Sequence, residues 1–142
     1  MKVVINRCHG GFGLSKKAVE RYHEIKGRKL WVEQDSKYAA LGIVHYWLVP
    51  PGQRVENREH EWHNMTMDEK KDYNDLCSEQ NFYDRDLDRS DSVLVQVVKE
   101  LGADANGRHA ELAIVDIPDD VQWQIEEYDG LEWVAEAHRT WG

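Results

Sequence analysis

The stretch KVVINRCHGGFGLSKKAVER, Lys2 to Arg21, joins a β-branched apolar run to a helical pattern through a turn that contains three glycines. β-branched residues favour strands, and Ser15 belongs to the residue types that cap helices. Apolar residues then recur at helical spacing as far as Ile25, and Gly27 is a natural helix end. The stretch therefore predicts a strand, a turn and a helix at the start of the fold.

The glycines Gly10, Gly11 and Gly13 invite comparison with phosphate-binding loops. A P-loop requires a lysine directly after its last glycine, whereas Leu14 follows Gly13, and the third glycine of GxGxxG is also missing. Backbone N–H groups at a helix start can still bind an anion, but a turn that needs positive φ explains the glycines equally well. The structural interpretation is therefore favoured.

Later segments predict further strands and helices. KLWV and AALGIVHYWLV predict strands, and Thr66 with Glu69 predicts a capping box that begins a polar helix. Asp91 predicts the N-cap of a helix with one apolar face from Val93 to Leu101. AELAIVDI and VQWQIEEY predict two strands joined as a hairpin through the turn PDD. The tail LEWVAEAHRTW carries apolar anchors and is expected to dock on the domain.

Length and charge exclude several function classes. A chain of 142 residues predicts one domain, and 18 basic against 27 acidic residues give a net charge of −9. This charge opposes binding along DNA or RNA, so an anionic ligand must meet a local cluster of arginines. No apolar run predicts a membrane span, and the N-terminus lacks a signal-peptide profile, so we expect a cytosolic protein with reduced Cys8 and Cys77.

Three short motifs suggest chemistry, but each lacks a required residue. His60 and His63 in HEWH do not complete the metal-binding pattern HExxH, and the aspartates of DRDLDRSD lack the glycine and glutamate of a calcium loop. His138 in HRT matches half of the paired HxT signature of phosphoesterases, and one histidine cannot serve as both acid and base in that scheme. The sequence predicts no metal, no cofactor and no catalytic set.

The loop NFYDRDLDRSD combines residue types that suit a nucleotide. Phe82 offers a face for stacking on a base, while Arg85 and Arg89 offer forks for phosphate oxygens. The alternative is a charged surface loop in which Phe82 simply fills the core. Arg28, after the first helix, and Arg108, in NGRHAEL, would complete a basic pocket if the fold brings these residues together.

Five blocks in order resemble a family of small phage-encoded proteins, the Thoeris anti-defence sponge family. The blocks are MKVVIN.C.GGFGLS, YWLVPP, SDSVLVQVVKELG..ANGR.AEL, VDIPDDVQWQIEEYDG and EWVAE.HRTW. Together they extend over nearly the whole chain.

The resemblance implies an α+β fold, a small antiparallel sheet with two to three helices in a single domain, residues 1–142. It implies a protein that is not an enzyme. In the host cytoplasm it would bind and sequester a cyclic ADP-ribose isomer, joined 1′′–2′ or 1′′–3′, without cleaving it. Family members assemble as homo-oligomers, dimers or hexamers, with the pocket between protomers. Some also bind cyclic di- or trinucleotides of the CBASS system at a second site.

The resemblance also implies site residues. Phe82 corresponds to the stacking residue, Arg28 and Arg108 to phosphate contacts, and Asp91 to a weaker candidate for the ribose. Relatives commonly have Asn-Asp or Thr-Asp where this chain has Ser90 and Asp91.

Two other interpretations stay open at this point. In the first, the chain is a nucleotide-processing enzyme of the phosphodiesterase type that acts through His138 and an unrecognised partner residue. In the second, it is an inhibitor that contacts another protein through the apolar face from Val93 to Leu101.

Overall fold

Strands and helices mix along the whole chain, as the predicted α+β class requires. The computed structural model describes residues 1–142 and contains three α-helices and three two-stranded antiparallel sheets. In chain order the elements are β1 (Lys2–Asn6), α1 (Lys16–Ile25), β2 (Trp31–Gln34), β3 (Val44–Trp47), α2 (Met67–Gln80), α3 (Ser92–Leu101), β4 (Leu112–Asp116), β5 (Trp123–Tyr128) and β6 (Leu131–Glu136). No helix is both long and apolar enough to cross a membrane.

The chain divides into two compact units. The terminal unit contains Met1–Arg28 and Asp84–Gly142, and the central unit contains Lys29–Tyr83. The predicted single domain stays a prediction, and the two units are described in turn.

In the terminal unit, β1 and β4 pair in register, with Val3 opposite Val115 and Ile5 opposite Ala113. Helices α1 and α3 supply the rest of the buried apolar surface. The core consists of residues at most 7% exposed, namely Val3, Val4, Ile5, Leu14, Ala18, Val19, Tyr22, Leu94, Val95, Val97, Val98 and Ala105. The apolar face of α3 is therefore core, which removes it as a surface for docking another protein.

The helix starts follow the predicted caps. The Ser15 hydroxyl accepts a hydrogen bond from the Ala18 N–H at 3.1 Å, and the Asp91 carboxylate accepts from the Val93 N–H at 2.8 Å. Such bonds satisfy N–H groups that have no partner within the first helical turn. The predicted starts of α1 and α3 are confirmed.

The predicted hairpin around PDD is wrong. β4 pairs with β1, and β5 pairs with β6, so the tail segment LEWVAE forms a strand. The β5–β6 turn is Asp129 and Gly130, with φ values of 49° and 85°. A type I′ hairpin turn needs positive φ at both of its central positions, and Asp-Gly is a preferred pair for it.

The glycine turn after β1 lies against other backbone segments. A Cβ atom on Gly10 of this turn would overlap the His109 carbonyl oxygen, one on Gly130 would lie 2.6 Å from the His9 carbonyl oxygen, and one on Gly107 would lie 2.7 Å from the Gly13 carbonyl carbon. Only residues without a side chain permit this approach. Close backbone packing thus accounts for glycines in this region without a phosphate.

The central unit contains much less buried surface. Trp31 of β2 lies opposite Trp47 of β3, and the Thr66 hydroxyl accepts from the Glu69 N–H at 3.1 Å to begin α2 as predicted. The segment predicted as one long strand contains a 3₁₀ turn, Ala39–Leu41, before β3. Met65 is the only residue of this unit that is buried.

Candidate functional site

The central unit contains a cavity of about 670 Å³ that is open to solvent on one side. This volume lies within the range of about 300–1,000 Å³ that is typical of small-molecule sites. The lining combines aromatic rings with charged groups and includes Glu33, Asp35, His45, Trp47, Arg54 and Tyr73. The central unit is therefore the place to look for a ligand site.

Arg54 stacks on Trp47 in the wall of the cavity. Its guanidinium carbon lies 4.6 Å from the centre of the Trp47 ring, and its Nη1 donates to the Glu33 carboxylate. The Arg54 Nε and the Trp47 Nε1 are both buried and have no acceptor. Two donors without acceptors in one wall are unusual, because buried donors are nearly always hydrogen-bonded.

Local sequence explains the position of Arg54. Pro50 ends the strand segment, and Pro51–Gln53 forms a 3₁₀ turn. The turn brings the chain back so that Arg54 lies over β3.

Asp35 and His45 form a second polar group of the cavity. The His45 Nε2 lies 2.7 Å from one Asp35 oxygen, while the other oxygen accepts from the N–H groups of Lys37 and Tyr38 at 2.8 and 2.9 Å. The hydrogen bond from His45, supported by these N–H groups, lowers the pKa of Asp35. Because an ionised carboxylate can only accept, the His45 Nε2 carries the hydrogen of this bond.

Tyrosines supply most of the apolar lining. Tyr73 packs edge-on against Trp62 with ring centres 6.3 Å apart, and burial raises the pKa of Tyr73. Tyr38 and Tyr83 complete the aromatic part of the lining. Rings of this kind offer faces for stacking a planar ligand.

Phe82 lies between two residues that line this cavity, Asn81 and Tyr83. Its N–H donates to the Tyr46 carbonyl at 2.8 Å, and its ring lies edge-on to the Tyr46 ring at 6.4 Å. The half-buried ring therefore packs within the central unit. Its role in stacking a ligand stays a prediction.

Arg28 and Asp91 lie close to the same tyrosine of the terminal unit. The Arg28 guanidinium carbon is 5.9 Å from the Tyr22 ring centre, and the Tyr22 hydroxyl donates to Asp91 at 2.8 Å. Lys26 makes an ion pair with the same carboxylate at 3.3 Å. Partial burial raises the pKa of Asp91, but the hydrogen bonds from Tyr22 and from the start of α3 outweigh this effect and lower it. Asp91 thus has a structural role beside any role toward a ribose.

Arg108 is exposed on the turn before β4, where the Ala110 N–H donates to the Gly107 carbonyl. The predicted roles of Arg28, Arg108 and Asp91 toward a ligand stay predictions.

Arg89, a further candidate for gripping phosphate, makes internal contacts. Its guanidinium carbon lies 3.4 Å from the centre of the Phe12 ring, and its two terminal nitrogens donate to Glu132 at 2.8 and 3.0 Å. This arginine is held by the fold of the terminal unit.

The histidine motifs lie in exposed positions. His60 is exposed in the 3₁₀ segment Glu59–Asn64, and His138 is exposed after β6. No group of three or more His, Cys, Asp or Glu side chains is arranged to hold a metal ion.

Sequence reasoning missed the cavity residues Asp35, His45, Trp47 and Arg54. One signal for them exists in HYW of β3, because alternate residues of a strand lie on the same face and His45 therefore shares a face with Trp47. No periodic pattern points to Arg54.

Comparison with known proteins found no match among family models, curated proteins or solved structures.

Proposed function

We propose that the chain binds a cyclic ADP-ribose isomer and holds it intact, so that the ligand is withdrawn from the effector it would activate. The five sequence blocks that resemble the Thoeris anti-defence sponge family support the proposal. The proposal also includes assembly as a homo-oligomer, a dimer or hexamer, and a second site for cyclic di- or trinucleotides. Native mass spectrometry with and without ligand tests the assembly.

One structural observation carries the proposal, the cavity of about 670 Å³ in the central unit with an arginine stacked in its aromatic wall. A nucleotide presents a planar base and charged phosphates. Aromatic faces stack on the base, and a guanidinium fork pairs with phosphate oxygens. The residue types of the lining therefore match both parts of such a ligand.

Sequestration sets a requirement on affinity. To silence a signal by mass action, sites must outnumber signal molecules, and a nanomolar dissociation constant corresponds to about −12 kcal/mol. Stacking and charge-assisted hydrogen bonds in a concave site favour tight binding. Catalytic groups are not required for this role.

The test is a release experiment. The full chain is incubated with the 1′′–3′ isomer, separated from free ligand and denatured by heat, and the released material is chromatographed. Recovery of unchanged ligand in stoichiometric amount supports the proposal. A cleaved product formed with turnover, or no retained ligand, overturns it. Phe82→Ala and Arg108→Ala then test the residues that the resemblance assigns, with Arg7→Ala, an exposed arginine that no prediction assigns to the ligand, as a control.

A nucleotide-processing enzyme is the second candidate, and the Asp35–His45 pair favours it. Nδ1 of His45 can accept a proton from a water that attacks phosphorus, while Asp35 orients the ring and stabilises its cation. As its bond to phosphorus breaks, the departing oxygen takes a proton from solvent water, and the proton held by His45 returns to solvent. In the release experiment this candidate predicts a cleaved product that His45→Gln abolishes and His60→Gln leaves unchanged.

A further inference from the structure

The proposed function uses Arg54 of the cavity wall but gives no role to Glu33, the carboxylate with which Arg54 pairs. Both residues line the cavity, and Arg54 is the only arginine that does so. We propose that Arg54 is the phosphate subsite of the cavity and that Glu33 is its resident counterion, whose charge competes with a diphosphate ligand. This inference rests on the proposed function, because it names the group that would receive the phosphates.

Arg54 is preorganised to receive an anion. Its side chain is 14% exposed, and stacking on Trp47 at 4.6 Å fixes the plane of the guanidinium. The Arg54 Nη1 donates to the Glu33 carboxylate, while the Arg54 Nε has no acceptor. A guanidinium in a fixed plane loses little freedom when it pairs with two oxygens, and phosphate geometry matches such a fork.

Glu33 is the loosely held member of the pair. Its side chain is 50% exposed, and its one ion pair is with Arg54. It lies on β2 opposite His45 of β3, exposed on a short two-stranded sheet rather than buried in a core. Because water can solvate its carboxylate, Glu33 can give up Arg54 at small cost when a better acceptor arrives.

The unpaired donors indicate why a phosphate is the better acceptor. A carboxylate offers two oxygens to one edge of the guanidinium, whereas a diphosphate offers oxygens in several directions. The Arg54 Nε and the Trp47 Nε1 are buried in the same wall and both lack an acceptor. Both atoms are covered by protein, so an anion reaches them only when the side chains of the wall move aside, and satisfying them then removes the desolvation cost that an unpaired donor carries.

The other charged groups of the lining leave Arg54 as the main anchor. Lys37 adds a donor, while Glu59 adds a negative charge. The Asp35 carboxylate is already bound by His45 and by two backbone N–H groups. Glu33 is therefore the negative charge whose removal changes Arg54 most directly.

The test measures binding to the full chain by titration calorimetry with two probes, inorganic pyrophosphate and the 1′′–3′ cyclic ADP-ribose isomer. Glu33→Gln removes the charge but keeps an acceptor for Arg54. Glu56→Gln makes the same charge change at an exposed position of the same unit that does not line the cavity. Removing a like charge a few ångströms from the subsite is expected to tighten pyrophosphate binding about tenfold, against less than about twofold for Glu56→Gln.

Arg54→Lys is the complementary variant. It keeps the charge but loses the planar fork and the stacking, so binding of both probes is expected to weaken by about tenfold or more. Circular dichroism verifies that the variant is folded. If it is not, Glu33→Gln against Glu56→Gln still decides the question, because neither of these changes removes a buried group.

The outcomes separate this inference from the proposed function. Equal pyrophosphate affinities for Glu33→Gln and Glu56→Gln, or unchanged binding in folded Arg54→Lys, overturn the subsite even if the isomer is released intact. Tightened pyrophosphate binding without any binding of the isomer supports the subsite and overturns the proposed function. Binding of neither probe overturns both.

Discussion

The two units contain the same chemical arrangement in different surroundings. Each has an arginine stacked on an aromatic ring and paired with a glutamate. In the terminal unit, Arg89 lies 3.4 Å above the Phe12 ring centre and pairs with Glu132. In the central unit, Arg54 lies 4.6 Å from the Trp47 ring centre and pairs with Glu33.

The difference lies in the glutamate and in the remaining donors. Glu132 is 9% exposed, binds Arg89 through both oxygens and also accepts the Asn6 N–H at 2.8 Å. Glu33 is half exposed, and the Nε of its arginine has no acceptor. We call Arg89–Glu132 the closed pair and Arg54–Glu33 the open pair. The closed pair has its hydrogen bonds satisfied and stabilises the fold, whereas the open pair lies beside a cavity and retains donors for a ligand.

The largest expected effect comes from breaking the closed pair. Glu132→Gln replaces a carboxylate that is 9% exposed, leaves Arg89 one oxygen instead of two and weakens the bond from the Asn6 N–H. Because little water reaches Glu132 to compensate, unlike at the half-exposed Glu33, the free energy of unfolding should fall by about 3–5 kcal/mol. Urea denaturation followed by circular dichroism measures the change. A loss below about 1 kcal/mol would show that burial does not distinguish the two pairs.

Burial of titratable groups in the terminal unit also predicts a pH dependence. Burial first, and the charge of Arg28 second, lower the pKa of His23 from 6.5 to about 4. Between these values the unfolded chain binds a proton that the folded chain does not, so stability should fall as pH drops from 6.5 toward 4. The expected loss is about 2–3 kcal/mol.

Denaturation curves at several pH values measure this slope, and His23→Phe provides the comparison. The variant should be less dependent on pH across the same window, whatever its absolute stability. An unchanged slope would assign the dependence to other groups and contradict the burial argument.

Asp91 tests whether a predicted ligand residue is held by the fold. It caps α3 and binds Tyr22 and Lys26, so Asp91→Ala should lower the free energy of unfolding by about 1–2 kcal/mol. Asp88→Ala, a nearby exposed aspartate that binds only Ser90, should cost less than about 0.5 kcal/mol. Equal losses would remove the structural role of Asp91.

Local signals explain which parts of the fold were predictable. Ser15, Thr66 and Asp91 begin the three helices because a cap acts within one turn of its own position. The α+β class, which the resemblance implied, is confirmed by the three helices and the three two-stranded sheets.

Strand pairing was predicted wrongly because it is not local. β4 has a turn-like PDD after it, but its partner is β1, more than a hundred residues away. Asp129 and Gly130, the turn that does form a hairpin, are also a local signal. Apolar residues alternate on both sides of this turn, which likewise favours a hairpin there.

The candidate site was less predictable than the fold. Its residues come from β2, β3, the turn around Arg54 and the end of α2, and no single spacing connects them. An arginine stacked on a tryptophan seven positions earlier depends on the path of the intervening turn. Composition alone therefore directed attention to the charged loop after α2.

The smallest expected effect is on the stability of the open pair, and it completes the comparison. Glu33→Gln removes a half-exposed carboxylate, and the free energy of unfolding should change by less than about 1 kcal/mol. The same substitution at Glu132 is expected to cost several times more, and urea denaturation under identical conditions compares the two directly. If Glu33→Gln were as destabilising as Glu132→Gln, Glu33 would be holding the central unit together. It would then not be free to yield Arg54 to a phosphate, because a ligand would have to supply that lost stability as well as its own binding free energy.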